Sequence, residues 1–101
     1  MKQTFEDLEE YSNYIKNEKV AVATTIFDGI EKAIKNNDKE ASIFEIYFDN
    51  EEYVYDISVE KEEWIKTLES CLDIFTENEV SNKAIEAFQL LEVARELFKE
   101  D

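Results

Sequence analysis

Ser42-Ile43-Phe44-Glu45-Ile46-Tyr47-Phe48-Asp49-Asn50-Glu51-Glu52-Tyr53-Val54-Tyr55-Asp56-Ile57-Ser58 changes the hydrophobic period of the chain from helical to two. Phe44, Ile46 and Phe48 alternate on one run, and Tyr53, Tyr55 and Ile57 alternate on the next, with the acidic stretch Asp49-Asn50-Glu51-Glu52 between them. This is the pattern of an antiparallel β-hairpin spanning Ala41 to Val59. A two-residue or a four-residue loop gives the same register: Phe48 opposite Tyr53, Ile46 opposite Tyr55, and Phe44 opposite Ile57. That face is the expected core. The other face then sets Glu45 directly against Asp56, a like-charge pair that destabilises a sheet unless something compensates, with Tyr47 and Val54 alongside.

Both flanks of the hairpin read as helices. Upstream, Thr4 followed by Phe5, Glu6 and Asp7 fits a helix N-terminus, and Phe5, Leu8, Tyr11 and Ile15 recur at helical spacing. Asn17-Glu18-Lys19 marks a joint. Val22, Ala23, Ile26, Phe27, Ile30, Ala33 and Ile34 then form an amphipathic stripe ending at Asn36-Asn37-Asp38. The β-branched run Val20 to Ile26 also fits a third strand turned at Asp28-Gly29, and the helix is the preferred reading. Downstream, Trp64, Ile65, Leu68, Cys71, Leu72 and Phe75 predict a helix over roughly Glu60 to Phe75, with Trp64 and Cys71 in the core. Thr76-Glu77-Asn78-Glu79 reads as a capping box for a last helix whose apolar side is Val80, Ala84, Ile85, Phe88, Leu91, Ala94 and Phe98. The expected fold is a single α+β domain over residues 1–101: an N-terminal helix with a break, an antiparallel hairpin of two or three strands, and two C-terminal helices.

Composition narrows the function classes. The 101 residues include no His, no Pro, one Gly and one Cys. A His base, a Ser/His or Cys/His pair, a His-containing zinc site and a glycine-rich phosphate loop are therefore out. Asp49-Asn50-Glu51-Glu52 with Asp56 lacks the alternating ligands and central Gly of a calcium loop, and the abundant carboxylates carry no signature of a glycosidase pocket. No metal, cofactor or catalysis is expected. A chain of this size buries only about 60–68% of the surface it exposes when unfolded, which leaves no room for a deep substrate cavity. Its short apolar runs do not span a bilayer, no signal-peptide core is visible, and Cys71 has no disulfide partner, so a cytoplasmic location is expected.

The net charge of −15 is unevenly distributed. Residues 1–39 carry eight acids and six bases, and residues 80–101 carry five and three. Residues 40–79 carry thirteen acids against Lys61 and Lys66 alone. Glu45, Asp49, Glu51, Glu52 and Asp56 belong to the hairpin, while Glu62, Glu69, Asp73 and Glu77 fall on one side of the helix after it. Clustered like charge raises the energy of the folded monomer, and a sequence selected for stability alone would intersperse Lys here. Duplex DNA carries one charge per roughly 1.7 Å of axis. Alternate strand residues lie about 6.6 Å apart and helix turns about 5.4 Å apart, so carboxylates on these elements approximate a row of phosphates. The expected partner is a basic nucleic-acid-binding protein, contacted by Glu45, Tyr47, Asp49, Glu51, Glu52, Asp56, Glu62, Glu69 and Asp73. Nucleic acid and anionic membranes are themselves repelled.

The stretch Ser42 to Ser58 followed by an acidic helix resembles small phage anti-CRISPR proteins that mimic DNA. In such proteins an N-terminal helix, a short antiparallel sheet and two helices present acidic residues to a Cas nuclease. The resemblance implies stoichiometric inhibition in a bacterial host cell, by occupying the duplex-binding or PAM-reading surface of the enzyme. Two other readings share parts of this logic. One is a small acidic adaptor or self-associating structural protein that dimerises through the Val20 to Ile34 stripe; the other is an immunity protein directed at a basic nuclease toxin.

Overall fold

The computed structural model describes residues 2–48 and 54–99, and it is an α+β fold. In chain order the elements are β1 (Lys2–Phe5), α1 (Leu8–Asn17), α2 (Lys19–Lys35), β2 (Glu40–Phe48), β3 (Val54–Glu60), a 3-10 turn (Lys61–Glu63), α3 (Trp64–Glu77) and α4 (Ser81–Lys99). The strands form one mixed sheet in the order β1-β2-β3. β2 and β3 are the antiparallel hairpin, and Phe44 opposite Ile57, Glu45 opposite Asp56 and Ile46 opposite Tyr55 are in the expected register. The expected pairing of Phe48 with Tyr53 lies outside the described residues, as do Asp49, Glu51 and Glu52.

The third strand comes from an unexpected place. Lys2–Phe5 pairs parallel to Glu45–Phe48, reached through the α1–α2 crossover that a parallel connection requires. Thr4 is therefore in a strand and not a helix cap. α1 begins later, capped by Asp7, whose carboxylate accepts the Glu10 N–H at 2.9 Å, while the Glu10 carboxylate accepts the Glu6 N–H at 3.0 Å. Phe5 is buried at the sheet, with its ring 5.3 Å from that of Tyr11 and 5.6 Å from that of Tyr14. The joint at Asn17-Glu18-Lys19 is a break at Glu18, whose ψ of 49° leaves helical geometry.

Val20 to Ile26 is helical. The two threonines that favour a strand reading are accommodated by local bonds: the Thr24 and Thr25 hydroxyls donate to the carbonyls of Val20 and Ala21, at 2.8 and 3.0 Å. The stripe of α2 buries Ala23, Phe27, Ile30 and Ala33 within its own chain, so it is not available as a dimer surface. Gly29 is not a turn residue either. It lets α2 lie directly on β2, since a Cβ there would sit 2.6 Å from Ile43 Cδ1 and 3.1 Å from the Ser42 carbonyl oxygen. Gly29→Ala gains roughly 1 kcal/mol of helix propensity and loses about 1–3 kcal/mol to overpacking. A net loss of stability in a urea titration is the expected outcome, although the same exchange stabilises most helices.

The helices cover one face of the sheet. Buried Ala41, Ile43, Phe44 and Ile46 meet α2, against which α3 and α4 pack in turn. α3 contributes Trp64, Leu68, Cys71 and Phe75 to the same cluster, as expected, and the Trp64 indole N–H donates to the Val59 carbonyl at 2.9 Å. The capping box expected at Thr76 is instead the end of α3: Asn78 closes the helix, Glu79 takes a left-handed φ of 59°, and Val80 N–H donates back to the Phe75 carbonyl at 2.9 Å. α4 buries Ala87, Leu90, Leu91 and Ala94. Ile85 and Phe88, expected in its buried stripe, are 59% and 51% exposed. Among the described residues no helix is long and apolar enough to cross a membrane.

Candidate partner-binding surface

The face of the sheet away from the helices is largely exposed among the described residues. Cross-strand partners point to the same side, so the residues opposite the core-facing set follow from the register. They are Glu40 with Glu60, Ser42 with Ser58, and Glu45 with Asp56, with Tyr47 next along β2. Glu40, Ser42, Asp56, Ser58 and Glu60 are exposed, and Glu45 and Tyr47 are half-buried.

A bulge between Ser42 and Phe44 shapes this face. It turns both Ile43 and Phe44 toward the core, and it shifts the pairing by one residue beyond that point. Continuing the register of Phe44 with Ile57 would have set Glu40 against Lys61, an attractive pair. The bulge sets Glu40 against Glu60 instead, so the open face carries a second like-charge pair that sequence reading missed. The Lys61 N–H donates to the Lys39 carbonyl at 3.0 Å, which makes that pair hydrogen-bonded and fixes the alternation along the ladder. Glu40 with Glu60 and Glu45 with Asp56 both occupy non-hydrogen-bonded positions, where opposing side chains are closest. Each such pair costs roughly 0.2–1 kcal/mol.

Tyr47 lies two residues beyond Glu45 on the same face, and its hydroxyl donates to Glu45 Oε2 at 3.1 Å. That bond aims the carboxylate. It also raises the Tyr47 pKa, with partial burial and the negative charges of Glu45 and Asp56 acting in the same direction. A phenol with a raised pKa lends its full contribution to folding below the unfolded value near 10. That contribution is lost as pH climbs through the folded value, so the contact is intact at neutral pH.

The ion pairs among the described residues lie on α2 and α4: Glu31 with Lys35, Glu86 with Lys83, and Glu92 with Arg95. Within that set no base pairs with Glu45, Asp56, Glu62, Glu69 or Asp73. The β1 register brings Lys2 beside Glu45 at the level of the backbone. Of the expected contact residues, the structure places Glu45, Tyr47 and Asp56 together on the open sheet face. Glu62 is in the 3-10 turn, and Glu69 and Asp73 are exposed on α3, which packs chiefly on α2 and α4. These three belong to the helical layer rather than to the sheet face.

Cys71 is buried, with Sγ 3.6 Å from the Ala23 carbonyl, and desolvation pushes its thiol up to about 11. It should react with a thiol reagent only at the rate of unfolding, and fast labelling of the native protein would contradict this packing. Among the described residues no group of carboxylates and thiols is arranged to hold a metal ion. Compared with models of protein families, with curated proteins and with solved structures, the chain matches none of them.

Proposed function

We propose that this chain is a stoichiometric inhibitor that acts without catalysis, as an imitation of DNA. Its open sheet face occupies the basic nucleic-acid-binding surface of a partner, such as a CRISPR-Cas nuclease in a bacterial cytoplasm. The observation that carries the reading is the pair of like-charge couples, Glu40 with Glu60 and Glu45 with Asp56, set directly opposite each other on a face that no helix covers among the described residues. Electrostatic repulsion there is relieved when lysines and arginines of a partner arrive. The net charge of −15 steers such a partner in from a distance, and Tyr47 adds apolar area beside the carboxylates. Glu62, Glu69 and Asp73 extend the acidic field from the helical layer.

The test is capture from bacterial lysate on the immobilised protein, followed by elution with duplex DNA. A basic nucleic-acid-binding protein released by DNA, and held less tightly as salt rises, is the expected result. Retention that DNA does not affect would overturn the proposal. A second reading, a small acidic adaptor, draws on Ile85 and Phe88, neighbours one turn apart that are both exposed on α4.

A further inference from the structure

Among the described residues the sheet ends in two unpaired edge strands, β1 and β3, and they are built differently. β1 is a four-residue strand beginning at Lys2, short and charged in the manner that discourages pairing. β3 is seven residues, Val54-Tyr55-Asp56-Ile57-Ser58-Val59-Glu60, without Pro or Lys, and the irregularity of the sheet is on β2 rather than on it. The Lys61 to Lys39 hydrogen bond fixes which backbone groups are free. Counting back in twos, Val59, Ile57 and Tyr55 turn their amides to β2, whereas Glu60, Ser58, Asp56 and Val54 turn theirs to the open edge. Ile57, the middle residue of the strand, is 39% exposed although it lies on the helix side opposite buried Phe44.

We infer that this edge pairs with β3 of a second copy, antiparallel about a two-fold axis at Ile57, joining two three-stranded sheets into one. The charges select the register. Directly opposite residues must share a face, so allowed registers differ by steps of two. The centred register sets Ile57 against Ile57 of the second copy, Asp56 against Ser58 and Val54 against Glu60. One step in one direction sets Asp56 against Asp56, and one step in the other sets Asp56 against Glu60. The centred register alone engages the whole strand and opposes no acid with an acid. It also makes Asp56 and Ser58 a hydrogen-bonded pair, matching the direction of their free amides, and covers Ile57 with its own copy.

The dimer places the open acidic faces of the two copies side by side. Asp56 of one copy falls diagonal to Asp56 of the other, roughly 7–8 Å away, which is within the Debye length at physiological salt. Dimerisation therefore strengthens as salt rises, opposite in sign to decoy binding. The inference stands apart from the decoy reading, because the two copies pair or fail to pair whatever the target is.

Sedimentation of the full chain over a wide concentration range tests it, with Ser58 as the reporting position because it faces Asp56 of the other copy twice per dimer. Ser58→Glu should weaken the dimer and Ser58→Lys should strengthen it, each by about 2- to 30-fold in Kd. The same changes at Ser70, exposed on α3, should move the Kd little, and Phe88→Glu on α4 should leave the dimer intact. A chain that stays monomeric at every concentration would overturn the inference. So would a dimer indifferent to Ser58, or one broken by Phe88→Glu.

Discussion

Glu45→Lys combined with Asp56→Lys is expected to abolish partner binding while leaving a folded protein. The two residues are direct cross-strand partners on the open sheet face, and among the described residues neither contributes an ion pair to the fold. Their replacement removes the Tyr47 to Glu45 hydrogen bond, a contact on a half-exposed surface. It also lowers the magnitude of the net charge, which reduces self-repulsion. The stability change in a urea titration should therefore stay within about 1 kcal/mol. Against a basic partner, however, two attractive contacts become repulsive. Like-charge juxtaposition at an interface costs several kcal/mol, so affinity should fall by about 100-fold or more. Asp56→Lys alone should be the more stable variant, since it opposes Glu45 with a cation. A double variant that binds as well as the wild type would remove the hairpin face from the mechanism.

Trp64→Ala is expected to have the largest effect on stability. Trp64 is 1% exposed, opens α3, and ties that helix to the end of β3 through its indole N–H and the Val59 carbonyl. Truncating a buried aromatic of this size costs about 3–5 kcal/mol, while small domains have only about 5–15 kcal/mol in total. The variant should populate unfolded chain at physiological temperature. Trp64→Phe keeps most of the volume and loses the hydrogen bond, so it should cost less. Because Trp64 is the one tryptophan in the chain, its fluorescence reports the wild-type transition directly. A loss below about 1 kcal/mol for Trp64→Ala would mean that α3 is not anchored through this side chain.

The hairpin was legible because alternation is local: Phe44, Ile46, Tyr55 and Ile57 fix a register without reference to the rest of the chain, and Glu45 opposite Asp56 follows from it. α3 was legible for the same reason at helical period. β1 was not, since Lys2-Gln3-Thr4-Phe5 has too few residues for a period and is a strand only because β2 lies beside it. The bulge between Ser42 and Phe44 was likewise hidden, and with it the pairing of Glu40 with Glu60. Its one trace is the consecutive apolar pair Ile43-Phe44, which a strictly alternating strand would split between faces. On α4 the helical spacing places Leu91 and Ala94 correctly but sets the stripe too far round the helix, taking in Ile85 and Phe88 where Ala87 and Leu90 are buried. The small Ala87 and Ala94 side chains let α4 approach its neighbours. Gly29 shows the same effect, for it reads as a turn signal and serves as the point where a helix lies on a strand. Of the candidate contact residues, those on the sheet were brought together by local pairing. Those of the 3-10 turn and α3 belong to another layer, a separation set by long-range packing.

The most direct measurement of the decoy account is a competition titration with the captured partner. Labelled duplex DNA is bound to that partner, and the wild-type chain or the Glu45→Lys/Asp56→Lys variant is added while anisotropy is followed. Displacement of the duplex at one chain per DNA site by the wild type, and none by the variant at the same concentrations, is the result the account predicts. A partner that holds the duplex and this chain together in one complex would contradict it.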